Sequence, residues 1–376
     1  MIQQTTRTVI KKVDAHGLTP TILFQRLQGS YKFLLETDAA HISTGRYSIM
    51  GANPRKTYVG YDTTLHEIVH ATNKTYHYDG DLVLLLKQVM PRVSNETSYP
   101  FTGGALGYIR YNRSKSEIPA AHFHVYDTIL LFDHVTEELV GIFTNIDPEK
   151  KEDALDALMA QVLKGAQDST TYELGAFTSP SGDEQLNDLN ELSELLAQEN
   201  IQQLMVAQQL HAPFEGDSFA YYETVRQQSP SPYQYYMQFD DHEVFGSAHD
   251  RILRVKEQTV LTSEPTCHTL LDTASIQKEG EFTSGVLKEG YHAIDALATV
   301  IPTSAVIGSP VDEAAALLND SKVDQRLLYG GAIGYIGFNG QIDFAHSNSA
   351  IVIKSAHAIK EEVYRLTQTH PPQKVK

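Results

Sequence analysis

Only a few positions in this chain have the residue types and spacing for chemistry. His122 and His124 bracket Phe123, so on a strand their imidazoles share one face, as two metal ligands would. A solvated strand edge explains the same pair, and no carboxylate or thiol set of ligand spacing accompanies it. Asp240, Asp241, His242 and Glu243 form an acidic run with the composition of an exposed hairpin turn. Cys267 stands beside His268, but adjacency in sequence does not place a base on a nucleophile, and a lone thiol reads as structural. Glu361 and Glu362, next to Lys360, are expected on a helix spanning 359–368, pointing in different directions into solvent. Glu36 is more suggestive. It closes an apolar strand beside Thr37, and a strand-end carboxylate with a hydroxyl can hold the ammonium group of an amino acid. GxxxxGK[ST], HExxH, GxSxG and paired CxxC motifs are all absent.

The elements that must position these residues are organised around Tyr329–Gly340, YGGAIGYIGFNG, read as a glycine-rich strand followed by an Asn-Gly turn. Gly103–Asn112 carries the same pattern, GGA-x-GYI-x-(F/Y)-N, in the first half. Either the chain is an internal repeat, or sheet packing was solved twice in the same way. Strands are expected at 8–13, 31–36, 46–50, 57–61, 64–69, 101–111, 124–133 and 139–145, and helices at 19–27 and 81–89, with another starting at Asp147-Pro148. A Ser-, Thr-, Gly- and acid-rich stretch at 166–188 reads as a linker, dividing the chain into halves 1–165 and 189–376. Beyond it, a helix is expected at 188–199 and a second at 219–228 capped by Ser218. The stretch 201–211 is open between strand and helix. Hairpins follow at 233–247 and 252–262, then helices at 291–300 and 311–318, a strand at 351–354 and a frayed tail from His370. The class is α+β, with an antiparallel sandwich-like core and flanking helices.

The net charge of −17 argues against a nucleic-acid or anionic-membrane surface. One cysteine in 376 residues excludes an internal disulfide and fits a reducing, cytoplasmic setting. No signal peptide and no apolar run of membrane-spanning length is evident.

The order of several motifs resembles component I of anthranilate synthase, within the wider chorismate-utilising group. FLLET at 33–37, GRYSIMGANP at 45–54, PFTGGALGYIRYN at 100–112 and YDTILLFDHVTEEL at 126–139 match in the first half. SPSPYQYYM at 229–237, GSAHDRILRV at 246–255, HAIDAL at 292–297 and YGGAIGYIGFNGQID at 329–343 match in the second. The resemblance implies two intertwined halves, a chorismate lyase reaction using Mg²⁺, and a glutamine amidotransferase partner. It also implies a feedback pocket for tryptophan at Leu35, Glu36, Thr37, Arg46, Tyr47, Pro232, Tyr233 and Gln234. Departures from the family pattern point away from catalysis. Between His268 and about Phe282 the family carries its metal-binding Glu and catalytic His, where this chain has only TLLDTASIQKEGE. His268 replaces a family threonine; Ala305 and Val311 replace a threonine and a lysine; the family arginine falls near Ser349. Of the substrate contacts, Tyr329, Gly330 and Gly331 persist. No catalytic residue, metal ligand or cofactor is therefore expected. Three readings stay open: an inactive relative that binds an aromatic amino acid, a lyase with residual activity and Mg²⁺, and a structural partner of an amidotransferase.

Overall fold

A computed structural model describes residues 8–37, 45–93, 97–111, 116–146, 153–166, 170–180, 184–198, 200–301, 306–321, 323–368 and 370–375. The first half comprises β1 (Thr8–Asp14), α1 (Pro20–Arg26), β2 (Phe33–Glu36), β3 (Tyr47–Gly51), β4 (Lys56–Tyr61), β5 (Thr64–Val69), β6 (Lys74–Asp79), α2 (Leu82–Val89), β7 (Gly104–Ile109), β8 (Ala121–Tyr126), β9 (Thr128–Asp133), β10 (Glu138–Thr144) and α3 (Asp153–Lys164). The second comprises β11 (Tyr172–Leu174), α4 (Glu184–Gln198), β12 (Gln203–Gly216), α5 (Ser218–Gln228), β13 (Tyr233–Gln238), β14 (His242–Ala248), β15 (Arg251–Lys256), β16 (Thr259–Thr262), β17 (Gln277–Glu279), β18 (Phe282–Val286), α6 (Ala293–Val300), β19 (Gly308–Ser309), α7 (Val311–Asp320), β20 (Ala332–Gly337), β21 (Ile342–His346), β22 (Ser349–Lys354), β23 (His357–Thr367) and β24 (His370–Lys374).

These strands build two antiparallel sheets, and each half supplies part of both. The first sheet runs β1-β10-β9-β3-β2-β13-β14-β22-β23-β12-β11, with β19 on β12 and β24 on β23. The second runs β17-β18-β16-β15-β21-β20-β7-β8-β4-β5-β6. Reading outward from the middle, the order β2, β3, β9, β10, β1 is mirrored by β13, β14, β22, β23, β12, and β7, β8, β4, β5, β6 by β20, β21, β15, β16, β18. Equivalent strands meet antiparallel at both seams, with Gly107 opposite Gly334 and Leu35 opposite Tyr235. That arrangement is an approximate two-fold axis, so the GGA-x-GYI pattern marks a repeat of the whole topology. The seam glycines are required: a Cβ on Gly107 would lie 1.8 Å from the His122 carbonyl oxygen, and one on Gly334 2.1 Å from that of Asp343.

The helices obey the same symmetry. α1 and α5 cover the outer face of the first sheet, where the Phe24 and Phe219 rings lie 4.6 Å apart. α2 and α6 cover the outer face of the second, joined by Lys87 and Asp295 at 2.7 Å. Between the sheets lies an apolar layer that includes Phe33, Ile49, Tyr108, Tyr235, Val244 and Ile333.

Several elements depart from expectation. Residues 359–367 of the expected helix lie in strand β23; the helix-favouring Lys, Glu and Leu there are overridden by ladders to β12 and β22. The 201–211 stretch resolves to β12. The tail from His370 is not frayed but pairs as β24. The expected strand 124–133 breaks at Asp127, sending β8 to one sheet and β9 to the other. β6, not anticipated, pairs with β5. Asp217 caps α5 in place of Ser218, its Oδ1 accepting from the Phe219 amide at 2.9 Å. The stretch 166–188 carries β11 on β12 and the start of α4. The helix start at Asp147-Pro148 and Ala305 fall outside the described residues.

Candidate functional site

A cavity of about 340 Å³ opens between the sheets, beside the seam, within the usual size range of small-molecule sites. All eight residues named for the feedback pocket border it: Leu35, Glu36, Thr37, Arg46, Tyr47, Pro232, Tyr233 and Gln234. The first sheet contributes a mostly apolar and aromatic wall of Leu35, Tyr47, Ile49, Tyr233 and Tyr235. The second contributes Ile333, Tyr335 and Ala345, together with Arg251, Arg254, Lys256 and Asp343. Arg254 and Lys256 are two apart on β15 and so share a face, while Leu253 and Val255 enter the opposite core. Arg251 joins them at an irregularity in the ladder, its guanidinium 5.4 Å from the Tyr233 ring centroid.

Strand parity separates the eight residues. Leu34 packs on the α5 side, so Glu36 points there too, and its carboxylate accepts a hydrogen bond from Tyr222 Oη at 2.7 Å and pairs with Arg226 Nε at 2.9 Å. Burial raises the Glu36 pKa; Arg226 and Tyr222 oppose that. Its cross-strand partner Gln234 turns the same way, donating to the Arg226 and Ser229 carbonyls. Arg46 makes a two-pronged contact with Asp133 at 2.8 and 2.6 Å. Leu35, Tyr47 and Tyr233 therefore supply the wall, while Glu36, Gln234 and Arg46 brace it. The cationic row Arg251, Arg254, Lys256 and the acid Asp343 were not singled out in the sequence; the alternation of Arg254 and Lys256 was the available signal.

Tyr329, Gly330 and Gly331, expected from the resemblance as substrate contacts, lie elsewhere. Tyr329 is buried beside Arg326, and the amides of Leu327, Leu328 and Tyr329 donate at 2.6, 2.8 and 2.8 Å to the Glu361 carboxylate. Burial raises the Glu361 pKa, and the three amides and Arg326 oppose the shift. This nest of N–H groups is an anion site filled by the chain's own carboxylate. Glu361 is thus not the solvated residue expected; Glu362, on the other face, pairs with Lys374. The acids here do not suit Mg²⁺: both Glu361 oxygens already face N–H donors, and among the described residues no group of three or more His, Cys, Asp or Glu is gathered for a cation.

The two-fold axis gives the cavity a twin. Phe123 faces Gly107 as Phe344 faces Gly334, so His122 takes the place of Asp343, His124 that of Ala345 and Tyr108 that of Tyr335. The twin is filled. His122 and His124 lie 4.3 and 5.2 Å from the Phe239 ring, and His122 5.7 Å from the His242 ring. The two histidines do share a face, but deep in the interior, each 2% exposed, and not on a solvated edge. Among the described residues neither His122 nitrogen has a hydrogen-bond partner, whereas His124 Nδ1 meets Thr57 Oγ1 at 2.7 Å. Asp241, His242 and Tyr108 form a chain at 2.7 and 3.0 Å; Asp241 stays exposed in the turn as expected, whereas His242 is buried inside it. Cys267 is buried, consistent with a structural thiol.

Sheet order and helix placement together define a two-sheet α+β scaffold with a cavity between its sheets. A family model for chorismate binding enzymes matches residues 32–278 and 269–366, and the chain belongs to that family. It is 27% identical to anthranilate synthase component 1 of Lactococcus lactis, covering 93% of this chain and 92% of that one. The Bacillus subtilis protein of the same name is 22% identical, over 93% and 85%. Among solved structures, anthranilate synthase component I from Streptococcus pneumoniae superposes with a TM-score of 0.77 at 21% identity, covering 95% of each chain. The menaquinone-specific isochorismate synthase MenF of Escherichia coli gives 0.66 at 13% identity, over 98% and 92%. No described helix is long and apolar enough to cross a membrane.

Proposed function

We propose that this chain is a catalytically silent member of the chorismate-binding family that binds an aromatic amino acid in the inter-sheet cavity and acts on or with a partner. The observation that carries the reading is the contrast between two sites. The cavity at Leu35, Tyr47 and Tyr233 is open, while the nest beside Tyr329, Gly330 and Gly331 is filled by Glu361. Two further facts support it. The family match breaks into two segments overlapping at 269–278, inside the stretch that holds no histidine. The alignment to the Lactococcus relative spans 425 positions, more than the 376 residues of this chain, so that relative has residues without a counterpart here. In this reading residues 1–165 form a regulatory half and 189–376 a shortened chorismate-binding half, in a cytoplasmic protein. The relatives are named as one component of an enzyme, which makes a glutamine amidotransferase the partner class to test.

The competing reading, residual lyase activity, draws on family membership. One assay separates them. The purified chain is incubated with chorismate, Mg²⁺ and ammonium, and anthranilate fluorescence is followed, alongside calorimetric titration with L-tryptophan. Saturable binding without product is expected. Product above a chorismate-only blank would overturn the silent assignment.

A further inference from the structure

The charges around the cavity bear on which part of a ligand it reads. Two carboxylates border it among the described residues, Glu36 and Asp343. Glu36 is engaged on the α5 side by Tyr222 and Arg226. Asp343 is held by Arg251 Nε at 3.2 Å and Arg254 Nε at 3.6 Å, and its side chain is 13% exposed. Neither is left over to receive an ammonium group. The cations outnumber the acids: against Asp343 stand Arg251, Arg254 and Lys256, while Arg46 is neutralised by Asp133. Lys256 has no ion pair among the described residues, and Arg254, 34% exposed, meets Asp343 with one edge only. A ligand ammonium placed here would lose water without a carboxylate partner and face net positive charge, whereas a carboxylate would meet free donors. The opposite wall offers Leu35, Ile49 and the Tyr47 and Tyr233 rings to an aromatic group.

We infer that the cavity selects an aromatic carboxylate by its ring and its carboxylate, with Arg254 and Lys256 as the anion clamp, and leaves the α-ammonium of an amino acid unread. The inference rests on the proposed ligand-binding role of the cavity and names the ligand class for it: aromatic acids with or without an amino group, of which an aromatic amino acid is one case.

Three probes dissect the ligand: L-tryptophan, its des-amino analogue 3-(indol-3-yl)propionate, and tryptamine, which keeps ring and amine but lacks the carboxylate. The chain has no tryptophan, so indole emission reports ligand alone. By calorimetry and fluorescence, the propionate should bind no more than about threefold weaker than L-tryptophan, and tryptamine should show no saturation to about 5 mM. Lys256→Gln, at an exposed position, should weaken the propionate by about fivefold or more while the far-UV circular dichroism melt stays unchanged. Tryptamine binding as well as tryptophan, a propionate weaker by more than about threefold, or an unaltered propionate affinity in Lys256→Gln would each overturn the inference while leaving a ligand cavity in place. Failure of all three probes to bind would remove the ligand-binding role itself.

Discussion

Acidification should loosen this protein through the filled twin of the cavity, and His124 gives the effect a size. Burial, reinforced by His70, pushes the His124 pKa down to about 3, and burial drives His122 well down in the same direction. In the unfolded chain both imidazoles titrate near 6.5. The folded state therefore keeps them neutral while the unfolded state gains protons below about pH 6.5, so stability is full above that value and is lost as pH falls toward about 3. For His124 alone, the loss between about pH 7.5 and about pH 5 comes to about 2 kcal/mol, from the proton taken up by the unfolded chain. The groups facing the pair (His70, His242, Asp240, Asp241, Lys354, Tyr31 and Tyr108) also titrate or carry charge, so wild type alone would not isolate it. The comparison is with His124→Asn, whose amide still offers Thr57 a partner and does not titrate. Urea unfolding followed by far-UV circular dichroism at several pH values gives both curves. The variant should be the less stable at neutral pH, and the gap should shrink by about 2 kcal/mol by about pH 5. Parallel curves, or an imidazole pKa near 6.5 by NMR, would refute the account of a buried neutral imidazole.

Two other substitutions probe buried carboxylates. Arg226→Ala leaves Glu36 without its cation and should destabilise the fold by about 3 kcal/mol at neutral pH. Because burial already raises the Glu36 pKa, that deficit should narrow on acidification as the carboxyl takes a proton, and denaturation at two pH values reads both effects. Glu361→Ala strips the acceptor from three amides and should cost about 2 kcal/mol or more in the same assay. Added acetate should restore more stability to that variant than to wild type; equal responses would count against an anion nest at 327–329.

Much of the fold was legible because strands announce parity and turns announce themselves. The GGA-x-GYI pair located both seam strands, and the match of FLLET and SPSPYQYYM brought β2 and β13 to one cavity. Parity also placed His122 and His124 together. What parity does not say is which face is inside. Glu36 reads as a pocket carboxylate until α5 is seen to sit on its side of the sheet. Glu361 was hidden for a different reason: Lys360–Leu366 has helical composition, and only long-range ladders from β12 and β22 make it a strand. The cations of β15 were visible as residues but not as a group, since Asp343 comes from β21, almost ninety residues on.

The position of β17 and β18 bears on how freely the chain between β16 and β18 can vary in length. Both lie at the outermost margin of the second sheet, as far in strand order from the β7–β20 seam as this half reaches. The connection between β16 and β18 passes through the 269–278 region where the family match breaks. In the other half the equivalent strands β5 and β6 are joined by His70–Asn73 alone. The two-fold related turn is four residues long, so the scaffold itself sets no minimum beyond that for the connection between β16 and β18.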